Sequence, residues 1–143
     1  MTTPPLSALD IPDDDFLATV DRAGFGPHDF PHRAHLRLAY LCLQRYSPTA
    51  AEHRVCAAIR NLAAAHGHAA KYNATLSRAW VQVVALAMQH TPTATFDELL
   101  DAHPNLLDKH LLLAHYTRAV LFGPQARSGW VAPDVRPIPA LAA

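Results

Sequence analysis

Hydrophobic residues recur along this chain at spacings of three and four, the period of an α-helix with one buried face. Proline, glycine and serine divide the pattern into six predicted helices. No segment alternates convincingly at period two, so no strand is predicted. We therefore predict an all-α, single-domain bundle of five to six helices. The predicted helices cover about residues 13–23, 31–46, 48–66, 74–89, 95–104 and 105–121.

Proline-rich segments flank this bundle. Residues 1–12 contain three prolines and predict a flexible N-terminal arm, so the helical domain is assigned to residues 13–143. From about residue 124 the chain is predicted to lie extended along the bundle. Three prolines between residues 133 and 139 exclude a regular helix there, while Trp130, Val131 and Ile138 offer apolar contacts.

Composition narrows the range of partners. The 143 residues include 12 basic and 12 acidic side chains, and this balance does not indicate a nucleic-acid partner. No run of 18 apolar residues predicts a membrane span, and the first residues do not resemble a signal peptide, so we expect a cytoplasmic protein. Cys42 and Cys56 lack metal-binding spacing and are predicted to be free thiols. The sequence leaves open whether the protein forms a homodimer.

Histidines fall on predicted inner helix faces. His32 and His35 lie on the apolar stripe of the second predicted helix, and the sixth carries His110 on its stripe and His115 beside it. An inward imidazole needs a hydrogen-bonding partner, because burying an unpaired polar group costs about 1–3 kcal/mol. Several histidines converging on one interior predict a site.

One interpretation of this site is an enzyme that transfers protons on a small polar or anionic molecule. A histidine pKa near neutrality suits general acid–base catalysis of elimination, hydration or cyclisation. His35 is then the principal acid or base, supported by His32, His110 and His115. The predicted substrate-binding residues are Lys71, Tyr72, Asn73, Tyr116 and Arg127.

Two other interpretations remain. In the first, His32 and His35 bind one divalent transition metal, with a third ligand from His110, His115 or Asp108. A di-iron carboxylate site is disfavoured, because the chain has only two glutamates and one of them, Glu98, belongs to a predicted capping box. In the second, the protein is a non-catalytic helical binding or interaction module whose histidines are structural.

Three motifs also resemble those of an uncharacterised family of small bacterial proteins. They are F-x-H-x-x-H at residues 30–35, K-Y-x-x-T at 71–75 and A-R-x-x-W-V-x-P-D at 126–134. The resemblance implies a histidine-rich inner site built from the second helix and the K-Y loop. Asn73 stands where that family usually has histidine. This departure disfavours a three-histidine metal centre and suits a hydrogen-bond donor to a substrate oxygen.

Overall fold

The fold is all-α, as predicted, and a computed structural model describes residues 11–141. Most of the predicted N-terminal arm therefore lies outside the described residues. Within the described range there are seven α-helices, slightly more than predicted, and no strand. They are α1 (Asp13–Asp21), α2 (His32–Arg45), α3 (Pro48–Ala65), α4 (Ala74–His90), α5 (Phe96–Ala102), α6 (Arg118–Leu121) and α7 (Pro124–Ser128). Short 3-10 helices cover Ala69–Lys71, Pro104–Leu107 and Leu111–Ala114.

The three long helices α2, α3 and α4 pack on one another and form the centre of the core. Leu36, Val55 and Val84 are buried where these helices meet. Each such side chain contributes about 1.5–3 kcal/mol of stability through removal of apolar surface from water. None of the helices between residues 11 and 141 has the length and apolarity needed to cross a lipid bilayer.

Side-chain caps define where several helices begin. Ser47 Oγ accepts from the backbone N–H of Ala50 at the start of α3, and Thr95 Oγ1 accepts from that of Glu98 at the start of α5. The cap of α5 belongs to the capping box predicted from the sequence. The Glu98 carboxylate accepts from the N–H of Ala94, one residue before the position expected in a capping box.

The prediction of one continuous sixth helix over residues 105–121 is wrong. This segment is divided into two 3-10 helices and the single turn of α6. Asp108 Oδ1 accepts from the His110 N–H at 2.9 Å, and Thr117 Oγ1 accepts from the Val120 N–H at 3.3 Å. Such local side-chain bonds to the backbone compete with a continuous helix, and here they prevail.

The predicted extended tail begins later than expected, because α7 occupies residues 124–128. From Gly129 to Leu141 the chain is non-helical and is attached to the body by buried hydroxyl groups. Thr75 Oγ1 donates to the Gly129 carbonyl at 2.7 Å and accepts from the Val131 N–H at 3.0 Å. The Tyr116 hydroxyl donates to the Val131 carbonyl at 2.7 Å. These bonds determine where the tail lies.

The Thr75 contacts predict a measurable loss of stability. Thr75→Val keeps the side-chain shape but leaves the Gly129 carbonyl and the Val131 N–H without their partner, so we expect a loss of about 1–3 kcal/mol. Urea denaturation measures this change. Thr49→Val, at an exposed position of α3, is the matched control and should change stability by less than about 0.5 kcal/mol. Equal effects of the two substitutions would contradict the assigned role of Thr75.

Candidate functional site

A cavity of about 490 Å³ lies between α2, α3 and α4 and is completed by residues 109–122. Its wall is mainly apolar, with polar and basic groups contributed by α2, by the loop before α4 and by the segment after α5. The polar and basic residues of the wall are His32, His35, Lys71, Tyr72, Asn73, Ser77, Lys109, His110 and Arg118. Six of the nine predicted site residues therefore line one cavity.

His35 has one ring nitrogen engaged. Its Nδ1 lies 3.1 Å from the Pro31 carbonyl, and because a carbonyl only accepts, Nδ1 carries the proton and Nε2 keeps its lone pair. No hydrogen bond to Nε2 is formed by residues 11–141. The Phe30 ring packs edge-on against the imidazole, with centroids 4.7 Å apart. Burial lowers the pKa of His35, partly offset by the Pro31 carbonyl and reinforced by nearby His32.

His32 is held in the opposite tautomer. Its Nε2 donates to the Leu106 carbonyl at 2.9 Å, which leaves the lone pair on Nδ1. The Trp80 ring packs edge-on against it at 4.6 Å between centroids. Burial lowers the pKa of His32 and the Leu106 carbonyl opposes this shift, while the nearby Lys109 charge lowers the pKa further. Both imidazoles are therefore neutral at pH 7.

Tyr72 and Ser77 add hydroxyl groups to the same wall. Burial raises the pKa of Tyr72 to about 12, and Cys56 and Ser77 lie close enough to its hydroxyl to influence this pKa. The phenol therefore stays protonated at neutral pH and is able to donate a hydrogen bond. Cys56 itself has a raised pKa from burial and remains a thiol.

Asn73 lines the cavity, but its side chain is engaged within the protein. Oδ1 accepts from the Leu76 N–H at 2.9 Å and caps α4, and Nδ2 donates to the Leu121 carbonyl at 2.7 Å. It is buried. These bonds assign Asn73 to holding the start of α4 against the end of α6, and they favour this structural role over the predicted substrate contact.

Exposed groups surround the mouth of the cavity. His110 was predicted to face inward on a helix, but it lies on the turn after Asp108, and 71% of its side chain is exposed. Its Nδ1 is 3.7 Å from Asp108 Oδ1. Lys71, Lys109 and Arg118 are exposed at the same mouth, and the half-exposed ring of Phe122 covers part of it.

The other three predicted site residues do not line the cavity, so the prediction that they converge with His32 and His35 is wrong. His115 Nδ1 donates to the Arg136 carbonyl at 3.0 Å, so this ring binds the tail. Tyr116 is fully buried, with its hydroxyl on Val131. Arg127 is exposed, and its guanidinium donates to the Phe122 carbonyl at 3.0 Å. The predicted facing of His115 followed from a continuous helix at residues 105–121, which does not form.

Lys109, Arg118 and Ser77 belong to the site, although they were not predicted. Lys109 carried a signal, since it is one of only two lysines in the chain, and the other, Lys71, was predicted. Arg118 and Ser77 had no such signal. The position of Arg118 depends on how residues 104–122 fold over the start of α2, which the hydrophobic pattern does not specify. Ser77 is carried by α4.

Metal ligands are not grouped in this structure. Within residues 11–141 there is no set of three or more histidine, cysteine, aspartate or glutamate side chains arranged to hold a metal ion. His32, His35 and His110 all line the cavity, but among the described residues they are not arranged as such a set. Comparison with protein-family models, with curated proteins and with solved structures gives no match. A proposal of function therefore rests on the geometry of this cavity.

The lowered histidine pKa values predict acid sensitivity. The unfolded chain takes up protons on these rings near their ordinary pKa of 6.5, whereas the folded protein does so only at lower pH. Stability should be highest above this value and should fall as pH decreases from about 7.5 to about 5. Urea denaturation across this range, compared between the wild type and a double variant, isolates the contribution of the two rings.

The double variant is His32→Gln with His35→Asn. Each amide nitrogen replaces the ring nitrogen that donates to the backbone carbonyl, and neither residue titrates. We expect a weaker fall in stability with acidification than in the wild type. His28→Asn, at an exposed position of the loop before α2, is the control and should retain the wild-type slope. An unchanged slope in the double variant would contradict the assigned shifts.

Proposed function

We propose that this protein is a small-molecule enzyme in which His35 acts as a general base in the central cavity, with His32 as its acid–base partner. The observation that carries the proposal is the presence of two oppositely tautomeric imidazoles on one cavity wall. Each ring has one nitrogen directed by a backbone carbonyl and the other nitrogen unprotonated. A base must be neutral to accept a proton, and burial keeps both rings neutral at pH 7.

The two rings also influence each other. His32 lowers the pKa of His35, so simultaneous protonation of both is unfavourable. A pair of this kind holds one proton more readily than two. One ring can remove a proton from a bound molecule while the other, once protonated, returns a proton elsewhere on it. Elimination, hydration and cyclisation require this exchange.

Tyr72 supplies a third group suited to such chemistry. Its raised pKa keeps the hydroxyl protonated, and a hydroxyl donor beside the substrate stabilises negative charge that develops on a substrate oxygen. Val55, Leu76 and Trp80 add apolar surface to the cavity wall. Proton abstraction next to a carbonyl group is the reaction class that best uses a neutral base, an acid partner and this donor.

One observation favours a non-catalytic binding module as the second candidate. A hydrogen bond from each ring to a backbone carbonyl is also what a structural histidine requires. In that case the cavity binds a ligand without changing it, and replacement of either ring by an amide preserves all that the histidine does. A variant that tests catalysis must therefore remove the unprotonated ring nitrogen and keep the hydrogen bond to the backbone carbonyl.

Nitrobenzisoxazole is a suitable probe, because it is a flat apolar molecule whose ring opens when a base removes one proton. We expect the protein to accelerate this opening, measured by absorbance of the phenolate product, and His35→Asn to reduce the acceleration by about a hundredfold. His32→Gln should reduce it by a smaller factor. The rate should follow the deprotonated ring and reach its plateau near neutral pH.

His28→Asn is the control for this assay and should react as the wild type does, since His28 is exposed and does not line the cavity. Folding of each variant is checked by circular dichroism. A folded His35→Asn protein that accelerates the reaction as well as the wild type would refute the assignment of the base and favour the binding module.

A further inference from the structure

Basic side chains are concentrated at the mouth of the central cavity. Both lysines of the chain, Lys71 and Lys109, line it, together with Arg118. No carboxylate within residues 11–141 forms an ion pair with any of these three cations. Since the formal net charge of the protein is zero, this concentration reflects placement and not an overall excess of basic residues.

The backbone beneath each cation is fixed by hydrogen bonds. Lys71 ends a 3-10 helix, and its N–H donates to the His68 carbonyl at 2.9 Å. Lys109 lies within the turn closed by the Asp108 carbonyl, which accepts from the Leu111 N–H at 3.1 Å. Three separate segments therefore present their positive charges to the same opening.

Arg118 is held in the same way as the first residue of α6. The residue before it, Thr117, donates its hydroxyl to Asp134 Oδ2 at 2.8 Å, and its backbone N–H donates to Asp134 Oδ1 at 2.9 Å. The tail thus contributes to the position of this cation, although no tail residue lines the cavity.

Asp108 is one nearby acidic residue that has to be considered. Its charge acts on His32 together with that of Lys109, so it lies near this end of the cavity. It does not line the wall, and its Oδ1 accepts from the His110 N–H at 2.9 Å. Asp134, which accepts from Thr117 beside Arg118, is a second nearby carboxylate that does not line the wall. With two carboxylates against three cations, the charge at the mouth remains positive.

The interior behind the cations has the opposite character. Ile59 of α3 and Leu76, Trp80 and Val81 of α4 contribute apolar surface. A cavity of about 490 Å³ lies within the usual range for small-molecule sites, about 300–1,000 Å³. A molecule that satisfies both regions has an apolar body and an anionic end.

We propose that the molecule bound in this cavity is an amphipathic organic carboxylate. Its carboxylate lies between Lys71, Lys109 and Arg118, and its apolar body extends past His32 and His35. This inference names the substrate class for the function proposed above and rests on that function for its reaction. The base then faces the carbon body of the substrate, and the charged group at the mouth sets its direction of entry.

Octanoate and octanol form a matched pair of probes, because they share an apolar chain and differ in charge. We expect isothermal titration calorimetry to show octanoate binding about tenfold tighter than octanol at low salt, with the difference shrinking as salt is added. Lys71→Gln, Lys109→Gln and Arg118→Gln should each weaken octanoate by about threefold and leave octanol unchanged. The triple variant should lose the preference.

Arg136→Gln is the control, since Arg136 is an exposed cation of the tail that does not line the cavity, and it should bind both probes as the wild type does. All four substituted positions are exposed, so thermal denaturation should show intact folding. Equal binding of octanoate and octanol, binding of neither, or a preference that survives in the triple variant would overturn the inference.

The assignment of His35 as the base and the assignment of the ligand as a carboxylate are tested separately. His35→Asn should keep the preference for octanoate, because the carboxylate is bound at the mouth and not by this ring. A protein that prefers octanoate but does not open nitrobenzisoxazole would refute the proposed catalysis and retain the ligand class. A protein that opens nitrobenzisoxazole but shows no preference would refute the ligand class alone.

Discussion

The architecture of the candidate site depends on two buried polar side chains at the start of α4. Asn73 donates to the Leu121 carbonyl, and Thr75 bonds both Gly129 and Val131. A buried polar group is stable only when it is paired. These residues therefore require the C-terminal segment, residues 104–141, to lie across this end of the bundle. That segment supplies Lys109, His110, Arg118 and Phe122 to the cavity and the carbonyl that orients His32. The long helices alone would leave the cavity open on one side.

The same dependence explains what the motifs do. Thr75 and Asp134 belong to the K-Y-x-x-T and A-R-x-x-W-V-x-P-D motifs. Thr75 bonds Gly129 and Val131, and Asp134 bonds Thr117. His32, His35 and Lys71 belong to the first two motifs and line the cavity. One set of residues therefore builds the wall, and the other places the residues that complete it. The sequence motifs alone do not distinguish residues that line the cavity from residues that position the segment completing it.

Local signals were sufficient for helices α1 to α5 and for the inward position of His32 and His35, because periodicity, caps and prolines determine which face of a helix is buried. They were insufficient for residues 105–121. A helical stripe there predicted His110 on the inside, yet His110 is exposed and the buried residues of this segment are Leu106, Leu112, Tyr116 and Leu121. Asp108 bonds the local backbone between the two 3-10 helices, and Thr117 caps the single turn of α6, so the segment is interrupted twice. The competition between a local cap and a helix is decided by tertiary contacts, which the pattern does not contain.

The position of the cations links the two proposals physically. The positive charge of Lys109 contributes to lowering the pKa of His32. A carboxylate bound at Lys109 would partly neutralise that charge and would also exclude water from the mouth. The first effect raises the basicity of His32 and the second strengthens every remaining electrostatic interaction in the cavity. Binding of an anionic substrate would therefore raise the basicity of His32 before proton transfer. An uncharged molecule of the same shape would leave the charge of Lys109, and hence this basicity, unchanged.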